Sequence, residues 1–124
     1  TGYRVIGTCR RQESVDELLS NSSYTSYGST AYKLDVTNSE ELMKVYEFTV
    51  KYLSETDSIL WGIVNNAGFD IGGDFELVPA EFDELQRNVL YNAPRNIIRT
   101  FLPLLPVKSY ILANNIKQTL IFLH

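Results

Sequence analysis

The sequence is short of the residues on which several common chemistries depend. Cys9 is the only cysteine and His124 the only histidine in 124 residues. A single thiol excludes an intrachain disulfide and a thiolate metal cluster. A single histidine at the last position excludes a histidine-based triad or zinc site of ordinary construction. Positive charge is also in deficit, with 11 Lys and Arg against 15 Asp and Glu, a net charge of -4. That balance argues against nucleic acid or an anionic membrane as an electrostatically recruited partner. No apolar run approaches the ~18 residues needed to span a bilayer. The start, Thr1-Gly2-Tyr3-Arg4, does not read as a signal peptide and has no initiator Met, so the chain is expected to begin mid-protein. A lone thiol fits a reducing, intracellular compartment, with the cytoplasm as the default.

What is present is globular. Hydrophobic residues make up 44% and charged residues 21%, so the chain has enough apolar surface to fold as one domain and disorder is not expected. Short β-like runs alternate with helical patterns. Tyr3–Cys9 and Thr30–Val36 read as strands, the second with Tyr32, Leu34 and Val36 on one face. Ser58–Asn66 is apolar without alternation, as in a central strand covered on both faces. Ser14 with Glu17, and Thr37 with Glu40, read as capping boxes opening two helices. The second helix, about Ser39 to Ser54, repeats Leu42, Val45, Tyr46, Thr49 and Leu53 at helical spacing, with Glu40–Lys44 and Glu47–Lys51 as supporting pairs. Asn21–Ser29 reads as a polar loop and Gly68–Val78 as a glycine-rich one. Phe82, Leu85, Val89, Ile97 and Phe101 give a long helical face that Pro94 breaks or kinks. Ser109–Asn114 suggests a further strand, and the tail Ile116–His124 fits either strand or frayed helix. Val5, Leu34, Leu42, Tyr46, Ile63, Val64, Leu85 and Val89 are the expected core.

This order implies right-handed parallel crossovers and a three-layer α/β sheet. Ligands of such sheets lie beyond the carboxyl ends of the strands. Three groups stand there: Arg10 and Arg11, Asp35 to Thr37, and Asn65 to Gly68. Ala67 and Gly68 remove side-chain bulk where a ligand must approach backbone. The asparagines can tie the strand end to its neighbours through their amides. A tight strand exit built from Asn and Gly explains the same letters without a ligand. So does a helix cap at Asp35.

Asn65-Asn66-Ala67-Gly68 after an apolar strand, Leu34-Asp35-Val36-Thr37 at the previous strand end, and Leu102-Pro103-Leu104-Leu105 closing the next helix together resemble the short-chain dehydrogenase/reductases. The likeness runs from about Gly2 to Leu105 and is nearest the retinol, 3-hydroxybutyrate and 17β-hydroxysteroid dehydrogenase branch. It implies a partial Rossmann-like NAD(P)-binding domain over residues 1–124, from an oxidoreductase that interconverts a small-molecule alcohol and a carbonyl compound. The resemblance gives Asp35 and the backbone of Val36 to adenine, and Asn65, Ala67 and Gly68 to the cofactor floor. NAD-preferring members usually place an acid near the end of the strand that here finishes Cys9-Arg10-Arg11, so Arg10 and Arg11 imply NADP(H) in preference to NAD(H). The catalytic asparagine falls on Asn88, with Asn92 one turn on as the alternative. The stretch from Asn88 to Leu102 is about two residues longer than the family's helix, over half a turn of rotation. A homo-oligomer of the full-length protein is compatible with the family.

Three family features do not occur. No tyrosine is followed at i+4 by lysine, since Tyr91 has Arg95 and Tyr110 has Asn114. No serine follows Ser109, and no Thr-Gly-x-x-x-Gly-x-Gly turn is present. The chain is therefore expected to be the middle of a dehydrogenase, inactive alone, with sheet-centre ladder groups left unpaired by the missing first strand. A non-catalytic nucleotide-binding domain on the same scaffold, or a truncated product without function, are the other readings.

Overall fold

The computed structural model describes residues 3–69, 75–106, 110–113 and 118–123. Strand β1 (Arg4–Cys9) is followed by helices α1 (Gln12–Ser20) and α2 (Ser22–Thr25), β2 (Thr30–Lys33), α3 (Ser39–Thr56) and β3 (Leu60–Asn66). Then come α4 (Ala80–Arg87), a π-helical turn (Asn88–Asn92), α5 (Ala93–Phe101), β4 (Tyr110–Ala113) and β5 (Gln118–Leu123). The five strands form one sheet in the order β2-β1-β5-β3-β4. β1 pairs with β2, and β3 with β4, in parallel, as the alternating pattern implies.

The sheet departs from an all-parallel arrangement at its centre. β5 lies between β1 and β3 and runs antiparallel to both, with Gly7 opposite Leu120 and Ile63 opposite Ile121. The expected unpaired ladder groups are thereby satisfied, and the ambiguous tail resolves as a strand. The parallel neighbours leave a gap one strand wide, and buried N–H and C=O groups must find partners. A one-residue bulge at Trp61 adjusts the β3–β5 register.

Helices cover both faces. On one, α3 and α5 bury Leu42, Val45, Ile97 and Phe101 against Ile6, Leu60 and Ile63. On the other, Val15 of α1 packs with Cys9 and Ala31, flanked by Leu18 and Tyr24. Of the expected core, Ile63, Leu34 and Leu42 are buried, and Val5, Tyr46, Val64 and Val89 are half-buried. Leu85 is 43% exposed. Its helix ends at Arg87 and the π turn rotates the following face, so one helical stripe does not continue across it.

Both expected capping boxes are displaced. α1 begins two residues before Ser14, at Gln12, behind Arg11, with no side-chain cap. α3 is capped by Asn38, whose side chain accepts from the N–H groups of Glu40 and Glu41. Thr37 is drawn away to Asp35 instead, accounting for the one-residue shift. Lys51 meets Glu55 at 3.6 Å, toward the helix's end, where Glu47 had been expected.

The stretch read as a polar loop contains α2, because Asn21 caps it by accepting from Ser23 and Tyr24. That turn delivers Tyr24 to the sheet. Its hydroxyl accepts the Gly7 N–H at 2.9 Å and is directed at the Thr30 carbonyl at 2.7 Å, with the Val5 carbonyl at 3.2 Å. Burial raises the phenol's pKa, against the lowering effect of the Gly7 bond, and keeps it a donor. A Cβ on Gly7 would stand 2.7 Å from that oxygen. Tyr24→Phe is expected to cost about 1–3 kcal/mol in urea unfolding, since it strands buried backbone groups. Gly7→Ala should cost less in the Tyr24→Phe background than in the parent. Equal costs in both backgrounds would show that the two do not meet.

Candidate functional site: a cleft at the carboxyl ends of β1, β2 and β3

Parallel strands that leave a sheet at the same edge bring their following residues together. β1 ends in Cys9-Arg10-Arg11, β2 runs out through Leu34 into Asp35, and β3 exits through Ala67, Gly68 and Phe69. These segments line one cleft of about 570 Å³, within the ordinary size range of small-molecule sites. Arg10, Arg11, Asp35, Val36, Ala67 and Gly68, separated by up to 58 positions in sequence, meet there. Thr8, Ser14, Phe69, Leu85 and Val89, none of them expected at a site, also face it. For Ser14 the available signal was its place one turn past Arg10 and Arg11. For Leu85 and Val89 it was the i,i+4 spacing, read as core and used as wall.

The charged groups are held differently. Arg10 and Arg11 are exposed, and neither guanidinium makes a hydrogen bond or close ion pair among the described residues. Asp35 is half-buried and locally organised. Its Oδ1 accepts from the Thr37 N–H at 2.9 Å and the Thr37 hydroxyl at 2.6 Å. Its own N–H donates to Glu41 Oε2 at 2.7 Å. Oδ2 takes no hydrogen bond among the described residues, so an acceptor remains for a ligand N–H. The cap of α3 is Asn38, so Asp35 is not spent on that task. Partial burial pushes the Asp35 carboxyl up, but the two Thr37 bonds and the charges of Arg10 and Lys33 outweigh it and leave the pKa lowered. Glu41 is lowered too, first by the Asp35 N–H and then by Lys33. Burial and the nearby Glu17 charge raise the Cys9 thiol, so a neutral group stands at the end of β1.

Asn65 does not join the cleft. It lies beneath its floor, 4% exposed, and both amide heteroatoms lack a hydrogen-bond partner among the described residues. The expected tie through its amide does not form among the described residues. Strand alternation turns it toward Val36, Val89, Ala93, Pro94 and Ile97, which offer no side-chain partner. Asn88 and Asn92 are half-buried and also stand off the cleft's lining. Asn92 Nδ2 donates to Asn88 Oδ1 at 2.8 Å, and the Asn88 carbonyl accepts the Ala93 N–H across the π turn.

Two outcomes follow from this geometry. The folded-state pKa values of Asp35 and Glu41 lie below their unfolded values. The stability they contribute is complete above the unfolded values and is lost as pH falls through the folded ones. Thr37→Val should raise the Asp35 titration midpoint toward the ordinary carboxylate range in a carboxyl-carbon NMR titration. An unmoved midpoint would discount the Thr37 hydroxyl. Asn65→Leu, which removes an orphaned amide at similar volume, should be neutral or stabilising in urea unfolding, whereas a loss of about 1–3 kcal/mol would reveal a partner for the amide.

No family-wide sequence profile matches the chain. A 74-residue stretch, 59% of the chain, is 36% identical to the mitochondrial D-beta-hydroxybutyrate dehydrogenase of Rattus norvegicus, and the Bos taurus protein matches equally. That stretch spans 21% of those proteins. Among solved structures, a short-chain dehydrogenase from Streptomyces avermitilis is similar at 28% identity with a TM-score of 0.64, over 80% of this chain and 34% of that one. The NADPH-bound carbonyl reductase from chicken fatty liver has the same fold at 20% identity and a TM-score of 0.64, over 78% of this chain and 38% of that one. By sequence over that stretch and by fold, the chain is similar to the short-chain dehydrogenases/reductases.

Proposed function

We propose that residues 1–124 are the middle portion of an NAD(P)-binding Rossmann-like domain, and that their cleft takes NADP(H) in preference to NAD(H). The observation that carries this is the convergence of Arg10, Asp35 and the Ala67–Gly68 exit on one cleft. The residues suit the cofactor. Asp35 Oδ2 is an ionised acceptor for an adenine amino group, and the backbone of Val36 follows it. Ala67 and Gly68 let a flat ring approach the floor. The end of β1 bears no carboxylate. Arg10 and Arg11 can grip a 2′-phosphate through charge-assisted forks. Asn65 acts from below, as support for the floor.

The complete protein is then an oxidoreductase interconverting an alcohol and a carbonyl compound of retinoid, steroid or hydroxy-acid type. The hydroxybutyrate dehydrogenases and the carbonyl reductase among its relatives support that class. The bound nicotinamide would supply or accept the hydride. Asn88, or Asn92 through its bond to Asn88, is the residue of this chain assigned to the proton path. The chain itself lacks the Tyr-x-x-x-Lys pair, and positioned proton transfer contributes roughly 10²–10⁴-fold. A non-catalytic nucleotide-binding domain is the second reading, favoured by that same missing pair.

Calorimetric titration with each cofactor tests the preference. A charge-assisted bond is worth about 1.5–3 kcal/mol, which predicts NADP⁺ binding about 10–150-fold tighter than NAD⁺. Arg10→Ala should collapse that ratio. Equal affinities in the parent, or an unchanged ratio in the variant, would remove Arg10 from the site. Purified chain with NADPH and a panel of ketones and aldehydes should show no change in nicotinamide absorbance. Turnover abolished by substituting Asn88 or Asn92 would refute the assignment of inactivity.

A further inference from the structure

The strand end that carries Asp35 is held from outside the cleft. Leu34 donates its N–H to the Cys9 carbonyl, so strand alternation turns the Asp35 N–H away from β1. β2 is the outermost strand on that side, and an outward N–H there finds no ladder partner among the described residues. Glu41 supplies one. Its Oε2 accepts the Asp35 N–H at 2.7 Å, and its Oε1 pairs with Lys33 Nζ. Glu41 stands apart from the cleft's lining. With Lys33 and Lys44 it faces a second groove, at the outer edge of β2.

The reach of Glu41 follows from its place on α3. It is the third residue of that helix, where a glutamate commonly returns to the N–H of the cap residue. The cap residue is Asn38, whose N–H is already given to the Asp35 carbonyl at 2.9 Å. The Thr37 N–H is taken by Asp35 Oδ1. The carboxylate passes over both and meets the Asp35 N–H. Asp35 is thus tied through its N–H, its carbonyl and Oδ1. The Thr37 and Asn38 bonds are internal to the turn, whereas the Glu41 bond fixes the turn against the start of α3. The Lys33 side chain is 43% exposed, and an ion pair so placed adds little. The Asp35 N–H, ahead of Lys33, is what lowers the Glu41 pKa against the repulsion of the Asp35 charge.

From this bond we infer that Glu41 is a positioning residue, which acts on a ligand through Asp35 by fixing the direction of the aspartate's Oδ2 and of the Val36 backbone that follows. The inference rests on the nucleotide reading above and adds to it a residue outside the cleft. The part of Glu41 that matters to the ligand is then the oxygen on the Asp35 N–H, and its charge and its pairing with Lys33 are secondary.

The test is calorimetric titration of the full chain and its variants with NADP⁺, read beside the Asp35 amide proton in the NMR spectrum. Glu41→Ala should weaken NADP⁺ about tenfold, the scale of one lost hydrogen bond, and by no more than Asp35→Ala does. Glu41→Asp, one methylene shorter, should weaken it similarly, and serves if alanine unfolds the start of α3. Glu41→Gln keeps an oxygen for the N–H and should bind within about threefold of the parent. Lys33→Met removes the ion pair alone and should bind as the parent does. In the Asp35→Ala background, Glu41→Ala should cost nothing further. The Asp35 amide proton should move upfield in Glu41→Ala and stay near its parental position in Lys33→Met. Parental affinity in Glu41→Ala or Glu41→Asp, or equal losses in Glu41→Ala and Glu41→Gln, would overturn the inference while leaving the nucleotide reading intact. Failure of the parent to bind NADP⁺ would overturn both.

Discussion

The arrangement of this molecule turns on the backbone hydrogen bonds at the centre of its sheet. β1 and β3 are parallel strands covered by helices on both faces, and neither can leave a row of N–H and C=O groups unpaired in that setting. β5 supplies the partners from an antiparallel strand. The pairing sets the distance between β1 and β3, and hence the distance between the residues that follow them. At the opposite edge of the sheet, Tyr3 and Trp61 meet with ring centroids 4.9 Å apart at a 39° tilt, joining the starts of β1 and β3 across the intervening strand. The sheet is thus fixed at both ends of the slot, and the cleft inherits its width from that fixation.

The cleft's chemistry follows from what each strand does on leaving the sheet. β2 stops at Lys33, and Leu34 then donates its N–H to the Cys9 carbonyl at 2.9 Å, holding the two exits side by side. Asp35 follows, turned back on Thr37 and tied through its own N–H to Glu41. A carboxylate so arranged is ionised and oriented before any ligand arrives. The arginines are the opposite case: exposed, with guanidinium groups that no hydrogen bond holds among the described residues. That contrast is what the proposed function uses: a base at Asp35 and a phosphate at Arg10 and Arg11.

Much of this was legible in the sequence, and the misses have physical causes. β1, β2, β3, β4 and α3 stand within a few residues of where periodicity puts them, and the residues at the strand ends do converge. The path of Gln118–Leu123 was not legible, because a short apolar run carries no signal of strand direction. The α2 turn was missed because its cap, Asn21, sits inside a stretch of serines and threonines that reads as loop. Thr37 as a cap was a competition between two equally good acceptors, Asp35 for Thr37 and Asn38 for the helix, which spacing alone cannot decide. Asn65 was read as a hydrogen-bonding tie because asparagines are polar. Its burial depends on strand parity and on α5, which local sequence does not state.

The π turn bears on the excess of about two residues expected between Asn88 and Leu102, which an α-helix would carry into a rotation of over half a turn. A turn closed from i to i+5 takes up one residue in place, and the Ala93 N–H to Asn88 carbonyl bond is that closure. It falls directly before Pro94, whose ring nitrogen has no hydrogen to offer the preceding turn. The proline makes the wider turn inexpensive, and the wider turn returns α5 to the sheet with Ala93, Ile97 and Phe101 buried. The same turn leaves Val89 facing the cleft and sets Asn88 against Asn92. The two asparagines therefore act as a hydrogen-bonded pair, and replacing either alters the environment of the other.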